Sequence, residues 1–422
     1  MNSNRFRHAL SKLLVAATAI LIVTLLCTTD TSAATTEKVL YSFTGGTDGS
    51  EPHAGLIFDQ SGNVYGTTAY GGLYGAGVAY RLSPNADGTW TQTVLHSFTG
   101  GSDGAYPDWD RLAIDTFGNL YGVTANGGIF GGGTLFKLSP NSEGTWTETV
   151  LHQFTWGRDG GQPRTTPIFD AAGNLYGTAS YGGTYGCGTA FQLTPGSANK
   201  WTYRVIHQFR DKPACSPWSA LIFDAAGSLY GTTRNQVGGC GSPPLECGTV
   251  FQLMPGPNNT WAYKVIHQFR SGNGGADPSV SGLVFDDAGI LYGTTEHAGA
   301  YASGIFFKLT PGINNHWTFQ VLHQFRESAD GSYPQGQVSR DSADNLYGTA
   351  AAGGAYGGGT LFEMTPSPNG TRTFSVIYNF GGVDGYSPAG GAGVIMDAAG
   401  NLYGTTVVGG AYGYGVVYEI TP

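Results

Sequence analysis

One segment recurs seven times along this chain, and that recurrence limits the fold more than any other feature. The segment Val39-Leu40-Tyr41-Ser42-Phe43 returns, with changes, at Val94, Val150, Val205, Val265, Val321 and Val376, at spacings of 55 to 60 residues. A Tyr-Gly pair keeps the same period at Tyr65, Tyr121, Tyr176, Tyr230, Tyr292, Tyr347 and Tyr403. Two landmarks in step leave no stretch for a second domain, so residues 35–422 are expected to form a single repeat domain.

In the first copy, Leu56 to Asp59, Asn63 to Thr68, Val78 to Leu82 and Trp90 to Phe98 are short apolar or alternating runs between Gly, Pro, Asn and Asp clusters, and they read as strands. The 69 glycines and 20 prolines follow no Gly-X-Y period, so they punctuate turns rather than build a collagen rod. Charged residues, at 12%, are too scarce for the outer faces of long helices, and aromatics, at 13%, too common for a disordered chain. Four strands in ~55 residues match one propeller blade, so the expected fold is an all-β seven-bladed β-propeller. The phase of the repeat adds an expectation about closure. The repeats open on an outer-strand sequence, Val39 to Phe43, and stop at a third-strand sequence, Val416 to Ile420, so the N-terminal strand should complete the last blade. A linear solenoid would instead need polar caps at both ends, and none is visible.

The run Gly182-Gly183-Thr184-Tyr185-Gly186-Cys187-Gly188-Thr189-Ala190-Phe191-Gln192-Leu193-Thr194-Pro195, preceded by Asp170-Ala171-Ala172-Gly173-Asn174-Leu175-Tyr176-Gly177, resembles the bacterial GloVer tandem repeat, and the resemblance extends over residues 39 to 422. It implies an exported bacterial protein of unassigned activity, from a family whose members often carry C-terminal surface anchors. This sequence ends at Thr421-Pro422 without a hydrophobic tail, which departs from that pattern. The resemblance supplies no catalytic residues.

Residues 1–34 read as a signal peptide: Arg5, Arg7 and Lys12, then the uncharged stretch Leu13 to Leu26, then a small-residue cleavage site near Ala33 or Ala34. The apolar stretch is shorter than the ~20 residues of a membrane span, so no stable span is expected after its removal. Bulky Leu26 ahead of Cys27 disfavours lipid modification there. The expected location is secreted, periplasmic or cell-surface. Without the leader, 17 basic residues face 28 acidic ones, a net charge of −11 that argues against nucleic acid as a partner. A monomer without cofactor is expected.

Histidines recur on the fourth strand at His96, His152, His207, His267 and His323. Equivalent positions on neighbouring blades lie well over ~10 Å apart, too far to share a zinc ion, so no metal site is expected. Counting by twos places Trp90, Val94, His96 and Phe98 on one apolar face, and Tyr41 and Tyr378 replace the histidine, so these rings read as hydrogen-bonded packing between blades. The aspartates Asp59, Asp115, Asp170, Asp224, Asp286, Asp341 and Asp397 each begin a tight turn. The set Asp48, Asp103, Asp159, Asp330 and Asp384 also reads as turn structure, since no copy has the acid spacing of a calcium loop. Four cysteines follow the leader, and the pairing favoured by spacing is Cys240–Cys247 with Cys187–Cys215.

Propeller topology brings the loops after the second and fourth strands to one face. Those loops carry Tyr74, Phe130, Tyr185, Tyr301, Tyr356 and Tyr412 between glycines, rings suited either to stacking on sugars or to plugging the blade tops. Residues that break the repeat are better pointers to function, because the architecture does not require them: Asp108-Trp109-Asp110-Arg111, Trp156 with Arg158, Trp218, Arg234 and Glu296-His297. Asp108 and Asp110 are the weak catalytic candidates, as a carboxylate pair beside an aromatic. Nucleophile elbows, phosphate loops and His-Glu-x-x-His are absent. The sequence therefore points to a binding or scaffolding module for carbohydrate or another envelope component. The alternatives are a glycan-cleaving hydrolase or lyase on the same face, and a purely structural surface protein.

Overall fold

Seven antiparallel sheets stand in a ring and make a seven-bladed β-propeller. The computed structural model describes residues 35–107, 111–197, 200–210, 215–234, 247–278, 282–368, 370–388 and 393–422. Blade 1 runs Ile57–Phe58, Val64–Thr68, Val78–Pro84 and Trp90–Ser97, and blades 2 to 6 repeat this order. Blade 3 carries an extra short strand, Gly161–Pro163, against its second strand. Blade 7 takes Ile395–Met396, Leu402–Thr406 and Val416–Thr421 from the C-terminus, and Thr36–Ser42 pairs with Val416–Thr421 as its outer strand, as the phase of the repeat implied.

The core lies between blades. Tyr65, Leu95 and Phe98 of blade 1 pack on Leu120, Phe136 and Leu138 of blade 2, and six equivalent layers complete the circle. The Tyr-Gly landmark follows from this packing. The tyrosine ring meets aromatic residues of other blades, as Tyr121 does Phe169 and Trp201, while its hydroxyl donates to the turn aspartate of its own blade. The glycine is needed for space: a Cβ on Gly122 would lie 2.6 Å from the Phe136 ring, and the same obstruction by a third-strand ring occurs in all seven blades.

Blade 6 solves this contact differently. Arg340 and Arg372 stand where blades 1 to 5 carry an apolar residue and a tryptophan, and Asp344 replaces the turn glycine. Arg340 grips Asp287 of blade 5 through two hydrogen bonds of 2.9 and 2.7 Å, and Arg372 lies over Tyr292 at 4.7 Å while donating to Asp344.

One sequence expectation needs correction. Every outer strand shifts register once, as between the Ala79–His96 and Tyr80–Val94 pairs, so a bulge separates the valine from the histidine. The strand therefore changes face midway. Trp146 meets Tyr65 of the preceding blade, whereas His152 stacks on Tyr203 of the following one at 3.8 Å. The histidines are packing residues between blades, but they do not share a face with the tryptophans.

Adding a methyl group at Gly122 forces overpacking against Phe136, which typically costs ~1–3 kcal/mol. Gly122→Ala should lower the urea midpoint accordingly, whereas Gly274→Ala, whose added Cβ meets open space without a positive φ, should leave it nearly unchanged. Equal losses in the two variants would contradict the packing role.

Candidate functional site

The residue before a proline fixes the loop face in every blade. Glu51, Tyr106, Gln162, Ser216, Asp277, Tyr333 and Ser387 all have φ between 50° and 59°. That left-handed turn lets one residue bond to two blades: Asp277 N donates to Cys247 O at 2.9 Å, and Asp277 O accepts from Glu296 N at 3.1 Å. Short bridges such as Ala276–His297 and Ser332–Ala352 then tie the loop entering each blade to the loop after its second strand. The two loop sets therefore share one face, as the sequence implied.

Arg111 of blade 2 donates to Gln337 of blade 6, and Gln337 also reaches Leu283 O at 3.5 Å. Blades 2 and 6 are not neighbours, so this contact crosses the centre of the ring. Both residues lie two positions before their first strands, which places those strands innermost. Arg111 thus spans the central channel.

Around the mouth of that channel the structure gathers three of the repeat-breaking residues, Trp218, Arg234 and His297. The Arg164 and Arg234 guanidinium groups lie 4.7 and 5.1 Å from the Trp218 ring. Arg234 approaches Asp277 at 3.8 Å and Glu296 at 3.9 Å, distances of charge attraction rather than hydrogen bonding. His297 Nδ1 is 3.4 Å from Asp277 and 3.9 Å from Glu296, and its ring meets Tyr333 edge-on at 5.3 Å. Gln335 donates to Glu296. The Asp277 contact raises the pKa of His297, burial opposes it, and the Glu296 charge adds to the rise. The opposite holds on the outer strands, where burial lowers His96, His152, His207, His267 and His323. Compared with these outer-strand histidines, His297 is therefore set up to carry a proton. Among the described residues no three His, Cys, Asp or Glu side chains are grouped to hold a metal ion.

Arg164, Asp277, Tyr333 and Gln335 were not evident from sequence. Each flanks the proline of the entry loop, where the repeats share no consensus residue, so none stands out as a departure until the copies are aligned on that proline. A disulfide, Cys187–Cys215, joins the loop tip of blade 3 to the loop entering blade 4, three residues before Trp218. Cys247 is disulfide-bonded, while Cys240, its expected partner, lies outside the described residues, as do Asp108, Trp109 and Asp110.

The aromatic tips fall elsewhere. Tyr74, Tyr185, Tyr301, Tyr356 and Tyr412 are exposed at the outer perimeter, above the ends of the outer strands. Arg210, which follows the outer strand of blade 3, donates to Tyr185 Oη at 2.7 Å, and a groove beside Tyr301 is lined by His323 and Arg326. Trp156 is also exposed, 6.3 Å from the Tyr181 ring.

His207 and His267 are pushed down to about 4 by burial and by the charges of Arg210 and Arg270. Their folded pKa lies below the unfolded value near 6.5, so the stabilisation is complete above that pH and is lost as pH falls toward 4. The loss should reach roughly 2–3 kcal/mol for each histidine. In His207→Tyr/His267→Tyr, denaturation followed between pH 7 and 4 should show a clearly flatter decline. An unchanged profile would refute neutral burial of these rings.

The chain is similar to proteins known from sequence and structure. A family profile described as Gloeobacter/Verrucomicrobia repeat matches residues 26–242 and 240–422. No curated protein matches. Among solved structures, a protein provisionally described as a gluconolactonase is 13% identical, with 68% of this chain and 80% of that one covered and a TM-score of 0.38. A Dyadobacter fermentans protein of unknown function is 10% identical, with 81% and 98% covered and a TM-score of 0.43. A Thermus thermophilus protein, provisionally described as an oxidoreductase of the glucose dehydrogenase kind, is 13% identical, with 92% and 100% covered and a TM-score of 0.40. Likeness at this level carries nothing about activity. The family profile, in contrast, covers nearly the whole chain in its two matches, and the chain belongs to the Gloeobacter/Verrucomicrobia repeat family.

Proposed function

We propose that this protein is an exported propeller that binds a glycan at the channel mouth on its loop face. The observation that carries the reading is the convergence of Trp218, Arg234 and His297 from three separate loops. The architecture does not require any of the three, and they meet beside Arg164, Asp277, Glu296 and Tyr333. Two guanidinium groups and two carboxylates offset one another, so the mouth favours a neutral, hydroxyl-rich ligand over a bare ion. Donors, acceptors and ring faces side by side suit sugars, whose C–H faces stack while their hydroxyls bond. The leader-like residues 1–34 and the Cys187–Cys215 bond support export to an oxidising compartment. Among the described residues no helix is long and apolar enough to cross a membrane.

A second reading, a glycan-cleaving hydrolase or lyase, is favoured by one observation: His297, with its raised pKa, sits against two carboxylates. Such a group can move a proton to or from a reacting oxygen or carbon.

A glycan array probed with the intact protein should give specific signal, and Trp218→Ala should weaken it at least tenfold, about 1.4 kcal/mol. Silence across a broad neutral panel would overturn glycan binding at the channel mouth. Release of reducing or unsaturated sugar ends, lost in His297→Gln, would instead establish the enzyme.

A further inference from the structure

A second surface lies away from the channel mouth, on the outer perimeter of the loop face. In each blade a buried phenylalanine ends the outer strand, and the residue after it starts the entry loop: Thr44, Thr99, Thr155, Arg210, Arg270, Arg326 and Gly381. Where that residue is threonine, its hydroxyl and backbone N–H both donate to an aspartate four residues on, as Thr99 does to Asp103. Arg326 likewise grips Asp330 at 2.9 and 3.1 Å. Arg210 and Arg270 have lost that partner, because Ala214 and Gly274 stand at the aspartate position.

Blades 3 and 4 therefore present two exposed arginines with the compensating carboxylate removed. Arg158, exposed in the loop entering blade 3, adds a third where the corresponding residues of two other copies are Thr47 and Ser102. Among the described residues none of these three arginines forms an ion pair. The nearby Asp159 carboxylate is engaged inside its turn by His152 and Thr155. Asp211 and Lys212 cancel in charge. The Arg158 backbone carbonyl accepts from Gln208 at 2.9 Å, two residues before Arg210, so the first two cations occupy adjoining segments.

Aromatic faces accompany the charges. Trp156, in the same turn as Arg158, is 42% exposed, and Tyr185, 47% exposed, lies under the Arg210 guanidinium at 4.3 Å. The opposite sector of the rim carries threonine or glycine at the same position, so the charge is confined to one arc. In a chain of formal net charge −9, a localised cationic and aromatic arc calls for an anionic ligand with faces to stack on.

We infer that the rim formed by Trp156, Arg158, Tyr185, Arg210 and Arg270 is a docking surface for an acidic polysaccharide. Sugar carboxylates pair with the arginines, and pyranose faces stack on Trp156 and Tyr185. The surface is independent of the channel mouth and stands if the neutral-glycan reading fails.

The test uses the leaderless protein and polygalacturonate, with dextran, phosphatidylglycerol vesicles and duplex DNA as comparison probes, at low and at physiological salt. The substitutions Arg158→Ser, Arg210→Thr and Arg270→Thr, combined, install residues that other copies already carry at these positions, so the fold should survive, and the thermal melt verifies that it does. Polygalacturonate binding should appear at low salt, weaken as salt rises, and fall about tenfold in the triple variant, with Trp218→Ala unaffected. Loss of array binding in Trp218→Ala alone marks the mouth, and loss of polygalacturonate binding in the triple variant alone marks the rim. Undetectable polygalacturonate binding at low salt, equal binding by the triple variant, or tighter binding to vesicles or DNA would each overturn the inference.

Discussion

No blade in this molecule can bury its own faces. Each is a four-stranded sheet whose apolar side chains are covered only by the sheets on either side, so stability is a property of neighbouring pairs. A line of such pairs would leave two bare faces and an unpaired strand edge, both liabilities in water. Closing the line into a ring removes them. That is the task of the pairing between Thr36–Ser42 and Val416–Thr421, which joins residues from the two ends of the chain in one sheet. Even here the residue before proline bridges the seam, since Glu51 N donates to Tyr414 O at 3.0 Å.

The same closure explains why departures from the repeat are informative. Seven copies of one packing solution pin the backbone of every entry loop to within about the same φ, whatever side chain stands there. Asp277 and Tyr333 occupy positions equivalent to Ser216 and Ser387, held by the same pair of backbone bonds. Side chains at those positions vary from Glu51 and Gln162 to Tyr106 and Asp277 on one shared backbone conformation. A rigid scaffold with variable loop residues is the arrangement in which binding groups are positioned most precisely.

The fold was legible because the period is long, repeated and carried by two independent landmarks. Its strands fell within a residue or two of their sequence boundaries, as Asn63 to Thr68 became Val64–Thr68. What escaped was the bulge between Val94 and His96, because alternation along a strand leaves no mark where one extra residue is inserted. The site was legible by halves. Trp218, Arg234 and His297 stood out as interruptions of a pattern, yet nothing in their spacing showed that three loops of blades 4 and 5 bring them together. Arg164, Asp277 and Gln335 flank the entry-loop prolines, where the repeats share no consensus residue, so there was no fixed pattern for them to interrupt. Arg111 was expected among loop-face residues, and only the ring's geometry revealed that it reaches across the centre to Gln337.

The histidines of blades 3 and 4 show how one change in the repeat propagates. In blades 1, 2 and 5 an aspartate faces the histidine, at 3.3 Å in blade 1 and 3.1 Å in the other two, and partly offsets the burial that disfavours its charge. Without that aspartate, and with Arg210 or Arg270 added nearby, His207 and His267 pair with no carboxylate among the described residues, and both drop to about 4. Stacking on Tyr263 and Phe319 does not require the charge, so the packing survives its loss. The substitution that frees an arginine at the surface thus keeps the ring beneath it neutral, and blade-to-blade packing is preserved while the rim acquires positive charge.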